Sequence, residues 1–224
     1  MNPRRHHTPY LIAPRYLAGT DEPATRFLTM WLRATDWQPE TLYGGHLYSR
    51  RTPDGLLEAV HTSPGTAHVP ATHPALGWEF TARPAPGEPA TWTVHFALAT
   101  PPELMIALAT ALTDPTPGPH TTPGPNRPHF LQAPDAPEQA TQPLEAAGWM
   151  RDLAQHECTW YAPDQQAVVV SSPLHDGHET DDGNWLFATR RANDNVVLWY
   201  ATAHPHTPTH LVQALCTALA DPAP

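Results

Sequence analysis

A chain of 224 residues is long enough for one large domain or two small ones, and 40% hydrophobic content supports a core. The net charge of −10, with 22 acidic residues against 12 basic ones, argues against a protein that coats phosphate backbones. Two cysteines are too few for a secreted disulfide scaffold, and no apolar run reaches the length of a signal peptide's core or a membrane span, so a cytoplasmic location with no membrane partner is expected.

The first expected element is a helix from Asp21, with Pro23 in its first turn and Phe27, Met30, Trp31 and Ala34 at helical spacing. A hairpin follows, in which Leu47 to Arg51 and Leu56 to His61 flank the turn Pro53-Asp54-Gly55. After a longer loop, Trp78, Phe80 and Ala82, then Trp92, Val94 and Phe96, alternate with polar neighbours, the period of strands with one buried face. A helix then closes the unit, with Thr100 as its cap, Pro101 in its first turn, Glu103 completing a capping box, and Leu104, Ala107, Leu108, Ala111 and Leu112 as its apolar stripe.

The same plan returns at an offset of 107 residues: Trp78, Phe80, Arg83 and Trp92 meet Trp185, Phe187, Arg190 and Trp199. Thr100-Pro101 meets Thr207-Pro208, the Leu/Ala stripe meets its counterpart from Leu211 to Leu219, and Asp114-Pro115 meets Asp221-Pro222. The second copy also has a hairpin, Cys158 to Tyr161 and Ala167 to Ser171, and an opening helix that Pro143 interrupts and Gly148 stops. The expected fold is therefore α+β: two tandem α-β-β-β-β-α repeats, each an antiparallel four-stranded sheet with a C-terminal packing helix. The expected domains are residues 1–115, a proline-rich linker 116–128, and residues 129–224.

One face of each sheet differs between the copies. Leu186, Ala188 and Tyr200 point away from the tryptophan face in copy two, where copy one has Glu79, Thr81 and Thr93. An apolar face needs cover, which predicts a pseudo-two-fold arrangement of the copies about an approximate dyad. Arg83 and Arg190 are expected to pair with the matched Asp114 and Asp221.

The run Pro14-Arg15-Tyr16-Leu17-Ala18-Gly19, Trp37, the Pro53-Asp54-Gly55 turn, Trp78, Trp92 and the Thr100-Pro101 helix resemble a streptomycete family of unknown function, domain-of-unknown-function family three-one-seven. Its members carry two copies, and the resemblance implies the fold and a GC-rich actinobacterial source without transferring an activity. The absence of lysine and the 29 prolines fit such a genome.

Few residues point to chemistry. No nucleophile elbow or phosphate-binding glycine loop is present, and no cofactor is implied. His175, His178 and Glu179, with Asp181 and Asp182, are the metal candidates, but their order matches no zinc-peptidase motif. Candidate ligand contacts are Arg15, Arg50, Arg51, Arg83 and Arg190, with Trp78, Trp92, Trp185 and Trp199 either as core or as a stacking platform. The expected function is a non-enzymatic binding or interaction protein with a protein partner. The alternatives are a single-stranded nucleic-acid binder built like tandem Whirly or Pur repeats, and a metal-dependent hydrolase using the His175–Asp182 loop.

Overall fold

The computed structural model of the chain describes residues 22–42, 47–62, 76–114, 128–134, 137–152, 158–171 and 185–221. The expected linker lies outside them except for Pro128, and so do Arg15 and the His175–Asp182 loop. Copy one runs α1 (Glu22–Ala34), β1 (Gln38–Leu42), β2 (Leu47–Arg51), β3 (Leu57–Thr62), β4 (Leu76–Ala82), β5 (Trp92–Ala97) and α2 (Pro102–Thr113). Copy two opens with a 3-10 turn (His129–Leu131) and the short helices α3 (Pro137–Ala140) and α4 (Gln142–Ala146). It continues with β6 (Met150–Asp152), β7 (Cys158–Tyr161), β8 (Ala167–Ser171), β9 (Trp185–Arg190), β10 (Val197–Ala203) and α5 (Thr209–Ala220).

The fold is α+β, but each copy contributes five strands rather than four. The extra strands, β1 and β6, are the outermost ones. All ten form one antiparallel sheet in the order β1-β2-β3-β4-β5-β10-β9-β8-β7-β6. Two separate sheets would leave β5 and β10 as bare edges with unpaired backbone groups; pairing them satisfies those groups. Their register matches Ala201 with Phe96, Thr202 with His95 and Ala203 with Val94. Under the repeat offset, Ala201 is the counterpart of Val94, Thr202 of His95 and Ala203 of Phe96. Each copy thus offers the same positions to the other, the self-complementary register of an isologous contact.

Alternation along the strands drives Trp78, Phe80, Trp92, Val94 and Phe96 in copy one, and Trp185, Phe187, Trp199, Ala201 and Ala203 in copy two, to one face. There they meet Leu104, Met105, Leu108 and Leu112 of α2 and Leu211, Val212, Leu215 and Leu219 of α5 in a core shared by both copies. Each such large side chain, once buried, stabilises the fold by about 1.5–3 kcal/mol before entropy is counted.

Two local expectations need correction. Pro101, not Thr100, precedes the first residue of α2, and no side-chain cap forms. Instead the Thr100 hydroxyl donates to the Tyr200 carbonyl at 3.2 Å, a bond between copies. In α1 the core face is Leu28 and Leu32 with Trp31 beside it, so Phe27 and Met30 point outward. Spacing alone did not separate these two stripes, because both recur at helical intervals.

Candidate functional site

The core helices lie against the tryptophan face, where the 3-10 turn also meets Trp92. No described helix packs on the opposite face, and the two copies give that face opposite character. Register fixes the correspondence: Ala59 pairs with Phe80 and Val169 with Phe187, so β3 matches β8 residue by residue.

In copy one the centre of this face is charged. Glu58, nearly buried, accepts from Arg51 Nε and Nη2 on Oε1, at 3.0 and 2.9 Å, and from Arg83 Nη2 on Oε2 at 2.9 Å. Toward the middle of the sheet, Glu79 Oε2 stands 3.3 Å from His95 Nδ1. The separation is that of an ion pair, but Nδ1 makes no hydrogen bond, so alignment is poor. His95 is the residue paired with Thr202 across the copies.

In copy two the counterparts of Arg51, Glu58, Glu79, Thr81 and Thr93 are Tyr161, Val168, Leu186, Ala188 and Tyr200. Charge and hydroxyl give way to apolar and aromatic surface, and Leu186, Ala188, Val168 and Tyr200 stay half-exposed. Burial raises the Tyr200 hydroxyl above the usual tyrosine range. Most helix-side positions keep their apolar character in both copies, although Arg50 stands where copy two has the buried Trp160, and Ala82 where it has Thr189. On the open face the change of character runs through all of these central positions.

The expected Arg83–Asp114 and Arg190–Asp221 pairs do not form. Arg83 is taken by Glu58, and Arg190, whose copy lacks that carboxylate, donates from Nε to the Gln165 carbonyl at 3.3 Å. The sequence comparison matched each arginine with an aspartate at the same offset, but the partner came from β3, where the copies differ.

The remaining site candidates scatter. Trp78, Trp92, Trp185 and Trp199 are between 1% and 7% exposed, so none offers a ring face to a base or sugar. Arg51 lies on the open face and Arg50 on the helix face, so no basic stripe joins them. Arg50 sits beside Arg33; its guanidinium is held below the usual arginine range, first by burial and then by that neighbouring charge. No group of three or more His, Cys, Asp and Glu among the described residues could hold a metal. Both thiols are free; Cys216 is fully buried, which pushes its thiol far up, and Cys158 Sγ accepts from Arg151 Nη2 at 3.2 Å beside Trp160. No described helix is long and apolar enough to cross a membrane.

The sequence matches one family model twice, over residues 51–118 and 161–224: SPDY, described as "Domain of unknown function (DUF317)". The chain belongs to the SPDY family. No curated protein and no solved structure matches it. Each SPDY match starts at the last residue of β2 or β7 and runs through the closing helix, so β5, β10, α2 and α5, which join the copies, all lie within the matched stretches. Helix α1 and strand β1 precede the first match.

Proposed function

We propose that this two-copy SPDY chain is a non-enzymatic protein-interaction module that works in the cytoplasm of an actinobacterium. In this reading the copies are related by a pseudo-two-fold axis through the His95–Thr202 pair, as the isologous β5–β10 register supports. The second copy's open sheet face is the partner surface.

One observation carries this reading: replacement of Glu58, Glu79, Thr81 and Thr93 by Val168, Leu186, Ala188 and Tyr200 on a face that no described helix covers. A face that only meets water gains nothing from exchanging charged and hydroxyl groups for aliphatic and aromatic ones. A face that meets a partner gains buried apolar area, with a tyrosine as amphipathic anchor. The nucleic-acid alternative draws no support from four buried tryptophans and two arginines committed to one glutamate.

Affinity capture of the full chain from native cytosol, read by mass spectrometry, tests the proposal. A protein partner should be retained by wild type and by Glu79→Gln, and lost with Leu186→Glu or Tyr200→Ser. Partners retained by all variants would reject this face, and co-purifying nucleic acid or metal would favour the alternatives.

A further inference from the structure

We propose that the occupant of copy two's open face is an amphipathic helix of another protein, about four turns long, apolar on its docking side and acidic on the flank that meets Arg190. This inference rests on the reading above and deepens it, since it names the chemistry of the partner for the same face.

The first observation is a continuous apolar row. Met150 stands opposite Tyr161, Tyr161 opposite Val168, Val168 opposite Ala188, and Ala188 opposite Tyr200. Directly opposed residues share a face, so each of β6 to β10 places one apolar or aromatic side chain in a single line on the open face. Met150 is 51% exposed, and the other four are half-exposed. The same line in copy one reads Gln38, Arg51, Glu58, Thr81 and Thr93, polar at every position. Neighbouring strands lie about 4.8 Å apart, which makes the row about 19 Å long.

The second observation is an arginine beside this row whose carboxylate copy two has lost. Arg190 is exposed and lies two residues beyond Ala188 on β9, hence on the same face. Its counterpart Arg83, two residues beyond Thr81, reaches Glu58 Oε2 at 2.9 Å. An arginine at this position therefore meets a carboxylate carried where copy two has Val168. Arg190 donates from Nε to the Gln165 carbonyl and makes no ion pair among the described residues, while the neighbouring Arg191 is taken by Asp194. Its two outer nitrogens face solvent with the fork of donors that a carboxylate matches.

The two observations choose the occupant together. Backbone groups inside the sheet are already paired with neighbouring strands, so a segment lying on its face must satisfy its own backbone, as a helix does and an extended segment does not. Four helical turns span about 22 Å, the length of the row, and a helix about 10 Å wide covers copy two without reaching the charged half. A second copy of the chain fits worse: a stable dimer buries about 800 Å² per partner, and five strands of about five residues offer about 400 Å². A bilayer pressed on this face would also meet Glu58 and Glu79 in the same sheet. One arginine is too little for nucleic acid. A carboxylate on the helix flank would take, at Arg190, the place that Glu58 has at Arg83, while Tyr161 and Tyr200 give the apolar side amphipathic anchors.

The test uses the full chain and fluorescent helical peptides of about 16 residues. They share one leucine stripe and carry glutamate, glutamine or lysine along one flank of it. The glutamate peptide should bind most tightly, and Tyr200→Ser or Met150→Ser should weaken it roughly fivefold or more. Arg190→Glu should weaken it about tenfold and turn the preference toward the lysine peptide. Val168→Glu, which returns copy one's carboxylate to the arginine, should remove the preference for glutamate while unfolding stays cooperative. Equal binding of the three peptides, all still weakened by Tyr200→Ser, overturns the acidic helix and leaves the face standing as a partner surface. Binding of no peptide also overturns the helix. Peptide binding indifferent to both Tyr200→Ser and Met150→Ser, or tighter binding of a single-stranded oligonucleotide or phosphatidylserine vesicles, overturns this inference and the reading it rests on.

Discussion

The indole Nε1–H of Trp92 donates to the backbone carbonyl of Phe130 at 2.7 Å, in the buried seam between the last strand of copy one and the first turn of copy two. Together with the Thr100–Tyr200 bond and the packing of α2 on α5, it makes the copies parts of one core rather than two domains on a tether. Trp92→Phe removes the donor, leaves the Phe130 carbonyl without it in a dry site, and opens a small void. We expect a loss of about 1–3 kcal/mol in urea unfolding, with a single transition retained. Two resolved transitions in wild type would contradict the shared core.

Glu58 anchors the charged half of the open face. Glu58→Ala should destabilise the chain by about 1–2 kcal/mol, since it strands two guanidiniums, of which Arg83 is the more buried. Writing copy two's solution into copy one, as Arg51→Tyr with Glu58→Val, should recover part of that loss, because an apolar pair replaces the Arg51–Glu58 ion pair while Arg83 stays without its carboxylate. Thermal unfolding of the three variants checks the order; a double variant weaker than Glu58→Ala would refute it.

Corresponding turns are built with different residues. The β2–β3 turn places Gly55 at φ 71°, where glycine is unstrained, and the β7–β8 turn places Gln165 at φ 61°. A side chain in this region costs about 1–2 kcal/mol, and glycine costs about 0.5–1 kcal/mol through the unfolded chain, so Gln165→Gly should stabilise by roughly 0.5 kcal/mol. The Gln165 carbonyl that receives Arg190 is backbone and survives the change. Chemical denaturation reads the difference, and destabilisation would show that the Gln165 side chain contributes more than its strain.

His61 lies against Trp78, with ring centroids 4.8 Å apart, and burial lowers its pKa below the ordinary 6.5. The folded state therefore resists protonation that the unfolded chain accepts. Its contribution to stability is intact above pH 6.5 and falls as the pH drops below that value toward the folded pKa. Stability measured from about pH 7.5 down to about pH 5 should fall less steeply for His61→Leu than for wild type. Parallel profiles would mean that His61 stays accessible to protons.

Much of the fold was legible in the sequence because it was written twice. The offset of 107 residues located the tryptophan strands and closing helices, and Pro53-Asp54-Gly55 and Pro163-Asp164 located the hairpin turns. Strand β1 escaped because Gln38–Leu42 is mostly polar and contains Pro39, the composition of an edge strand, and β6 is only three residues long. The joining of the sheets was not legible either, since nothing in the alternation of β5 reveals which strand borders it. Of the candidate ligand residues, sequence reading located the polar and apolar halves of one face through Glu79 and Leu186. It missed Glu58, whose significance appears only when β3 and β8 are aligned through their partners.

The central claim, one continuous sheet joined at matched positions of the two copies, is tested most directly by a disulfide across that joint. In a background with Cys158→Ser and Cys216→Ser, the pair His95→Cys and Thr202→Cys places thiols on directly opposed antiparallel residues. Opposed residues lie about 4.5–5.5 Å apart at Cα, within reach of a disulfide. Mild oxidation of the dilute full chain should give a quantitative intrachain bond in a folded monomer, with raised thermal stability or none lost. Free thiols after oxidation, or bonds only between chains, would mean that the copies fold as separate units and that the ten-stranded sheet does not exist.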